Sequence, residues 1–246
     1  MKALRDIGKK NYFSEDTGFE RAVADAVIEY GNRAIFEHGR YMLALSGGST
    51  PGVIYELLAK ERSNELDWSK THIFLTDERF VHHSHSDSNF GMIKRQMLDD
   101  LKEVHSYPMW RDKCDHEEAT TRYKNDLVEI FNLSSGHFPK FDLMVLGLGE
   151  DGHVASLFPD EYPAIPKNEL VSGFKVAKLD SHRITLTFKV LNNSKKLIFM
   201  IRGANKECII KNLEERIKDL DYPVSRIDFK GTDCEWFINQ SYVGKL

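Results

Sequence analysis

Apolar residues along this chain recur in two periods, and segments of the two kinds follow one another in turn. Behind Thr17-Gly18-Phe19-Glu20, which has the form of a capping box, Ala22, Val23, Ala26, Val27, Tyr30 and Ala34 return at helical spacing. Further helices are predicted from Val53, Leu57 and Leu58, running to about residue 60, and from Met92, Ile93, Met97 and Leu101. Two more follow at 117–131, with Tyr123, Leu127 and Ile130 inward, and at 204–218, with Ile209, Leu213 and Ile217. Between them lie apolar runs too short for helices, at 41–45, 73–76, 143–146 and 197–201, which predict buried strands. Residues 173–179 and 183–187 read as strands joined by Asp180-Ser181-His182. Strands that alternate with helices imply an α/β fold, with a mainly parallel sheet covered on both faces. No linker, low-complexity tract or repeat interrupts the pattern, so residues 1–246 are expected to form one domain.

Composition narrows the partners. Hydrophobic residues make up 41% and charged residues 29%, ordinary values for a globular protein. A formal net charge of −4 leaves no basic footprint for nucleic acid. No apolar stretch reaches the ~20 residues that cross a bilayer, so no membrane partner is expected. The first ten residues carry charges but no apolar core of the kind a secretory signal needs. Cys114, Cys208 and Cys234 are widely spaced, with no Cys-x-x-Cys, and read as reduced thiols of a cytoplasmic protein.

Three of the predicted strands end in chemistry. The run Leu143-Met144-Val145-Leu146 leads into Gly147-Leu148-Gly149-Glu150-Asp151-Gly152-His153, a glycine-rich turn with a histidine at its tip. An imidazole at the carboxyl end of a buried strand sits where open α/β sheets place ligands. The strand at 41–45 leads into Ser46-Gly47-Gly48-Ser49-Thr50-Pro51. There paired glycines admit a ligand, Ser49 or Thr50 can cap the next helix, and Pro51 suits its first turn. Free N–H groups and the helix dipole make such a turn an anion site, although no Gly-Lys-Ser/Thr follows to make it a Walker loop. The strand at 73–76 leads into Asp77-Glu78-Arg79. Taken singly, each segment has a plainer explanation as an ordinary turn or a solvated charge cluster. Three together, on three strand ends, favour a site.

In this order the three segments resemble the 6-phosphogluconolactonase family, within the glucosamine-6-phosphate isomerase/6-phosphogluconolactonase superfamily. Further matches are Ala155-Ser156-Leu157-Phe158-Pro159, Asp87-Ser88-Asn89, Arg183-Ile184-Thr185-Leu186-Thr187, and Gly203 followed by Lys206. Related hexosamine-6-phosphate deaminases usually carry tyrosine where this chain has Arg79. They carry Phe-Asn-Glu-Pro where it has Ser156-Leu157-Phe158-Pro159. The chain departs from the lactonase pattern at Asp160 (usually glycine), at Val224 within Pro223-Val224-Ser225 (usually alanine) and at His82 (usually proline).

The resemblance implies a modified doubly wound sheet with a small appended lobe, as in sugar-phosphate deaminases and ribose-5-phosphate isomerase. It implies hydrolysis of 6-phosphoglucono-1,5-lactone by a monomer or small homo-oligomer, without cofactor. His153 is then the candidate base, since an imidazole ionises near neutral pH. Asp151 would orient its ring or hold the turn, and Arg79 would stabilise the oxyanion or bind phosphate. Gly47, Gly48, Ser49 and Thr50, with Arg183 and Lys206, would hold the phosphate dianion. Asp77 and Glu78 would support Arg79. No serine or cysteine stands in a nucleophile elbow, which favours direct attack by water. His82-His83-Ser84-His85 tempts a metal reading, but adjacent loop histidines rarely converge on one ion, and no metal is expected. The other readings are an amino-sugar-phosphate deaminase or aldose-ketose isomerase of the same fold, and a non-catalytic sugar-phosphate sensor.

Overall fold

The computed structural model describes residues 5–111, 113–166, 168–215 and 222–240. Its centre is a seven-stranded sheet in the order β1-β10-β9-β6-β2-β3-β5. The strands are β1 (Lys9–Phe13), β2 (Tyr41–Leu45), β3 (Thr71–Leu75), β5 (His105–Tyr107), β6 (Leu143–Gly147), β9 (Lys196–Arg202) and β10 (Asp233–Asn239). Every neighbouring pair is parallel. From β2 the chain winds outward through β3 to β5, then returns to build β6, β9 and β10 on the other side. Strand order therefore reverses between β2 and β6. In such sheets a crevice opens beyond the carboxyl ends of the strands at that point.

Burial explains why the central strands are continuous apolar runs. Residues of β2 are buried along its whole length, because helices lie on both faces. Tyr41 reaches the carbonyl of Val27 on α1 (Asp16–His38) through its hydroxyl. Phe74, in register with Ala44 and so on the opposite face, packs against Tyr123 of α4 (His116–Ile130). Tyr123 also bonds the backbone of Leu75 through its hydroxyl, tying α4 to β3.

A second, antiparallel sheet forms the small lobe, in the order β4 (Asp77–Arg79), β8 (Ser181–Leu186), β7 (Val171–Val176). It starts where the chain leaves β3 at Thr76, so the strand expected at 73–76 ends one residue early and the next three residues join another sheet. The remaining helices are α2 (Ser49–Lys60), α3 (Asn89–Ile93), α5 (Phe188–Asn192) and α6 (Ala204–Glu215).

Several local expectations need correction. The capping box expected at Thr17 does not form, because α1 begins at Asp16 behind Glu15, with no side-chain cap. A capping box closes α4 instead, between Asp115 and Glu118. The helix expected through Leu101 is α3 followed by one π-helical turn to Leu98. The strand expected at 173–179 ends at Val176 and turns through Ala177–Leu179. Ile217 and Lys218 lie outside the described residues.

Candidate active site

Four strand ends meet at one cavity of about 280 Å³. The turn after β2 supplies Ser46, Gly47 and Gly48, and the first turn of α2 supplies Ser49, Thr50 and Pro51. From β4 come Asp77 and Arg79, and from the turn after β6 come Leu148, Gly149, His153 and Ala155. Met200 lies near the carboxyl end of β9, and Lys206 stands in the first turns of α6. Of the residues singled out in the sequence, Gly47, Gly48, Ser49, Thr50, Arg79, His153 and Lys206 all line this cavity. Asp151 and Arg183 stand behind its wall, each against a lining residue.

The β2 turn is shaped by close approach. A Cβ on Gly47 would fall 1.7 Å from Oδ1 of Asn89, whose amide in turn donates to the carbonyl of Asp77. Gly48 is the N-cap of α2, and no side chain caps the helix. The expectation that Ser49 or Thr50 caps it is therefore corrected: both lie inside the first turn. That turn holds no acidic residue, so its N–H groups and dipole are offered to the cavity. The hydroxyl of buried Ser46, also in the lining, has no hydrogen-bond partner among the described residues.

The β6 turn holds the imidazole. Gly152 donates to the carbonyl of Gly149, and Gly149 to that of His153, closing a compact loop. Val224, at one of the departures from the family pattern, donates to the carbonyl of Gly152 and clamps the loop from outside. Nδ1 of His153 lies 2.5 Å from Oδ1 of Asp151. Burial works against ionisation of Asp151, but the imidazole and Lys178 outweigh it and hold the carboxyl below its ordinary range. An ionised Asp151 only accepts, so Nδ1 carries the proton and Nε2 is the basic nitrogen. Phe158 flanks the ring, 4.4 Å between centroids.

Charge is distributed unevenly. Arg79 and Arg183 are cross-strand partners on β4 and β8. Arg79 donates to the carbonyl of Asp87, and nearly buried Arg183 to the hydroxyl of Ser181. Burial, and then the neighbouring guanidinium of Arg79, lowers the pKa of Arg183. Burial lowers that of Lys206 too, against a weaker pull from Glu150. Among the described residues, none of these three cations has a carboxylate in ion-pair contact. In a protein of net charge −4, such cations at one strand-end cluster mark a place for an anion.

Glu78 and Asp77 have separate structural tasks. Fully buried Glu78 accepts the backbone N–H groups of Arg79, Asn89 and Phe90 and the hydroxyl of Ser88. Burial pushes its carboxyl up to about 7 against these bonds. It anchors the segment carrying Asn89 beneath Gly47. Asp77 accepts the hydroxyl of Ser156 at 2.6 Å and remains in the cavity lining. Among the loop histidines, His82 meets the hydroxyl of Ser84, His83 the carbonyl of Trp110, both rings pack against the Trp110 indole, and His85 lies near Asp87. No group of three or more His, Cys, Asp or Glu suited to a metal occurs among the described residues.

Sequence reasoning missed Ser46, Asn89 and Met200 as lining residues, and Lys178 as a neighbour of Asp151. Asn89 was within reach, since Asp87-Ser88-Asn89 belongs to the matched pattern. Lys178 gave no signal, being one lysine in an exposed hairpin.

A family model described as glucosamine-6-phosphate isomerases/6-phosphogluconolactonase matches residues 14–236. The chain is 37% identical over 212 residues to a 6-phosphogluconolactonase of Synechocystis sp., 85% of each chain being covered. It is 34% identical over 230 residues to one of Nostoc sp., covering 90% of this chain and 91% of that one. The crystal structure of a 6-phosphogluconolactonase from Thermotoga maritima superposes with a TM-score of 0.77 at 28% identity, covering 94% of this chain and 99% of that one. A 6-phosphogluconolactonase from Trypanosoma cruzi gives a TM-score of 0.83 at 22% identity, over 100% and 99% of the two chains, and bears on the fold alone.

Proposed function

Because this chain belongs to the family of glucosamine-6-phosphate isomerases and 6-phosphogluconolactonases, we propose that its cavity hydrolyses 6-phospho-D-glucono-1,5-lactone to 6-phospho-D-gluconate, a step of the oxidative pentose phosphate pathway. The observation that carries this reading is His153, held from behind by Asp151, on one wall of a cavity whose other wall is a helix N-terminus without a side-chain cap, flanked by cations that have no carboxylate partner among the described residues. A δ-lactone is an activated ester, so the requirements are a base for water, charge for the oxyanion and a grip on the phosphate. Nε2 of His153 takes a proton as water attacks the lactone carbonyl. The carbonyl oxygen becomes an oxyanion, whose charge Arg79, a lining cation, stabilises. On collapse the ring C–O bond breaks, and the departing alkoxide takes a proton from the imidazolium. The phosphate is held by Gly47, Gly48, Ser49 and Thr50, with Lys206 and Arg183 supplying charge.

One contact favours hydrolysis over deamination. Where the deaminases carry the glutamate of Phe-Asn-Glu-Pro, this chain places Phe158, whose ring faces the imidazole. The deaminase arrangement has a second acid at this position, and here it is an aromatic wall.

The same reading takes residues 1–246 as one domain, working as a monomer or small homo-oligomer without cofactor. No helix among the described residues is long and apolar enough to cross a membrane. Three free cysteines suit a reducing compartment, and the cytoplasm is the proposed location. The deciding experiment is lactone opening by purified protein, measured against the enzyme-free rate, beside an ammonia-release assay on glucosamine-6-phosphate. Lactone opening without ammonia is expected. Ammonia at a comparable rate overturns the assignment.

A further inference from the structure

The small sheet sends one side chain across to the catalytic turn. Lys178 lies in the turn Ala177–Leu179 that links β7 and β8. Its Nζ stands 3.2 Å from Oδ2 of Asp151. The other carboxylate oxygen, Oδ1, takes both the imidazole Nδ1 and the backbone N–H of His153. The same ammonium lies 5.0 Å from the centroid of Phe158, the ring that flanks the imidazole. Lys178 thus reaches two of the groups that border His153. The charges flanking Lys178 in this hairpin, Lys175 and Asp180, pair with each other.

We propose that Lys178 is a positioning residue for the proposed base: it pins the free oxygen of Asp151, fixing the carboxylate plane and hence the direction of the bond to the imidazole. This deepens the lactonase reading and rests on it. Two consequences follow. A carboxylate held at one oxygen only can swing, so losing Lys178 slows turnover more than it weakens substrate binding. Lys178 also offsets part of the Asp151 charge, so without it the imidazolium is better stabilised and His153 keeps its proton to higher pH. The other charged groups facing the imidazole are Asp77 and Arg79 from β4 and Lys206 from α6, whose own neighbour is Glu150. None of them contacts Lys178 in an ion pair, and their fields are unchanged by its removal.

The test uses Lys178→Met, Lys178→Gln and Lys178→Arg in the full chain. The side chain is 42% exposed, so the ion pair is partly screened and its effect modest. Removing the charge is expected to lower kcat about threefold to fivefold at neutral pH. KM for the lactone should stay within about twofold, and the acid limb of the rate profile should move up by about half a unit. Arginine should restore both, and high salt should shrink the displacement. NMR titration of the His153 ring without substrate reads the same shift independently of turnover. Should the wild-type protein open no lactone above the blank, the lactonase reading falls and the NMR titration still decides the role of Lys178. An unchanged His153 titration in Lys178→Met and Lys178→Gln, or arginine failing to restore it, overturns the proposal.

Discussion

Gly149 and His153 approach each other so closely that a Cβ on residue 149 would lie 2.1 Å from the imidazole Nδ1. The atom it would displace is the one bonded to Asp151. Alanine at 149 therefore strikes the ring of the proposed base rather than the core. Gly149→Ala is expected to fold with a melting temperature close to wild type. A ring displaced by about 1 Å should cost on the order of 10² in turnover. Paired kinetics and thermal melts check this, and a fully active Gly149→Ala protein would mean that the ring moves without consequence.

His153 itself is the sharper test. His153→Ala should lose on the order of 10²–10⁴ in rate, the range for a positioned general base. His153→Asn should be similarly inactive, since an amide can bond Asp151 but cannot take the proton. The spontaneous reaction must be subtracted at each pH. A folded alanine variant with near-normal activity would move the base elsewhere, with Asp151 the first alternative.

The parts of this site legible in the sequence are those where chemistry directly follows a buried strand. The turns after β2 and β6 are short, so Gly47, Gly48, Ser49, Thr50 and His153 reach the cavity by local geometry alone. Residues that arrive by tertiary reach were not legible. Asn89 is carried beneath Gly47 only because Glu78, eleven residues earlier, gathers the backbone around it. The same holds for the fold. β10 breaks its apolar pattern with Glu235, a residue made compatible with burial by Lys196, Asn11 and Lys9 from neighbouring strands. β1 and β5 are short edge strands with polar residues, and their pairing depends on neighbours that the local pattern does not reveal.

Phosphate recognition can be separated from catalysis. Arg183→Ala and Lys206→Ala should each weaken binding of the phosphorylated lactone by ~1.5–3 kcal/mol, the worth of a well-formed charge-assisted bond. Lys206 lines the cavity and Arg183 stands behind Arg79, so Lys206→Ala should raise KM more cleanly. Unphosphorylated gluconolactone should be a poor substrate and insensitive to either change. Equal losses on both lactones would assign these residues to the fold.

The last prediction concerns stability far from the site. His72 on β3 stacks on its cross-strand partner His105 with ring centroids 4.6 Å apart, and its Nδ1 meets the Tyr107 hydroxyl at 2.9 Å. Burial, then His105 and Arg40, push the His72 imidazole down to about 4, from an ordinary value of 6.5. Between those values the unfolded chain takes up a proton that the native state refuses. The neutral native imidazole therefore carries no penalty above pH 6.5, and stability is lost as pH falls from 6.5 through about 4. His72→Phe keeps an aromatic face for the stack and removes the titration. It should be less stable than wild type near neutrality, through the lost Tyr107 bond, yet lose less on acidification. Urea midpoints at pH 7 and pH 5 measure this, with the unfolding slope checked for constancy. An equal loss in the two proteins across that interval would show that other groups set the acid sensitivity of this edge of the sheet.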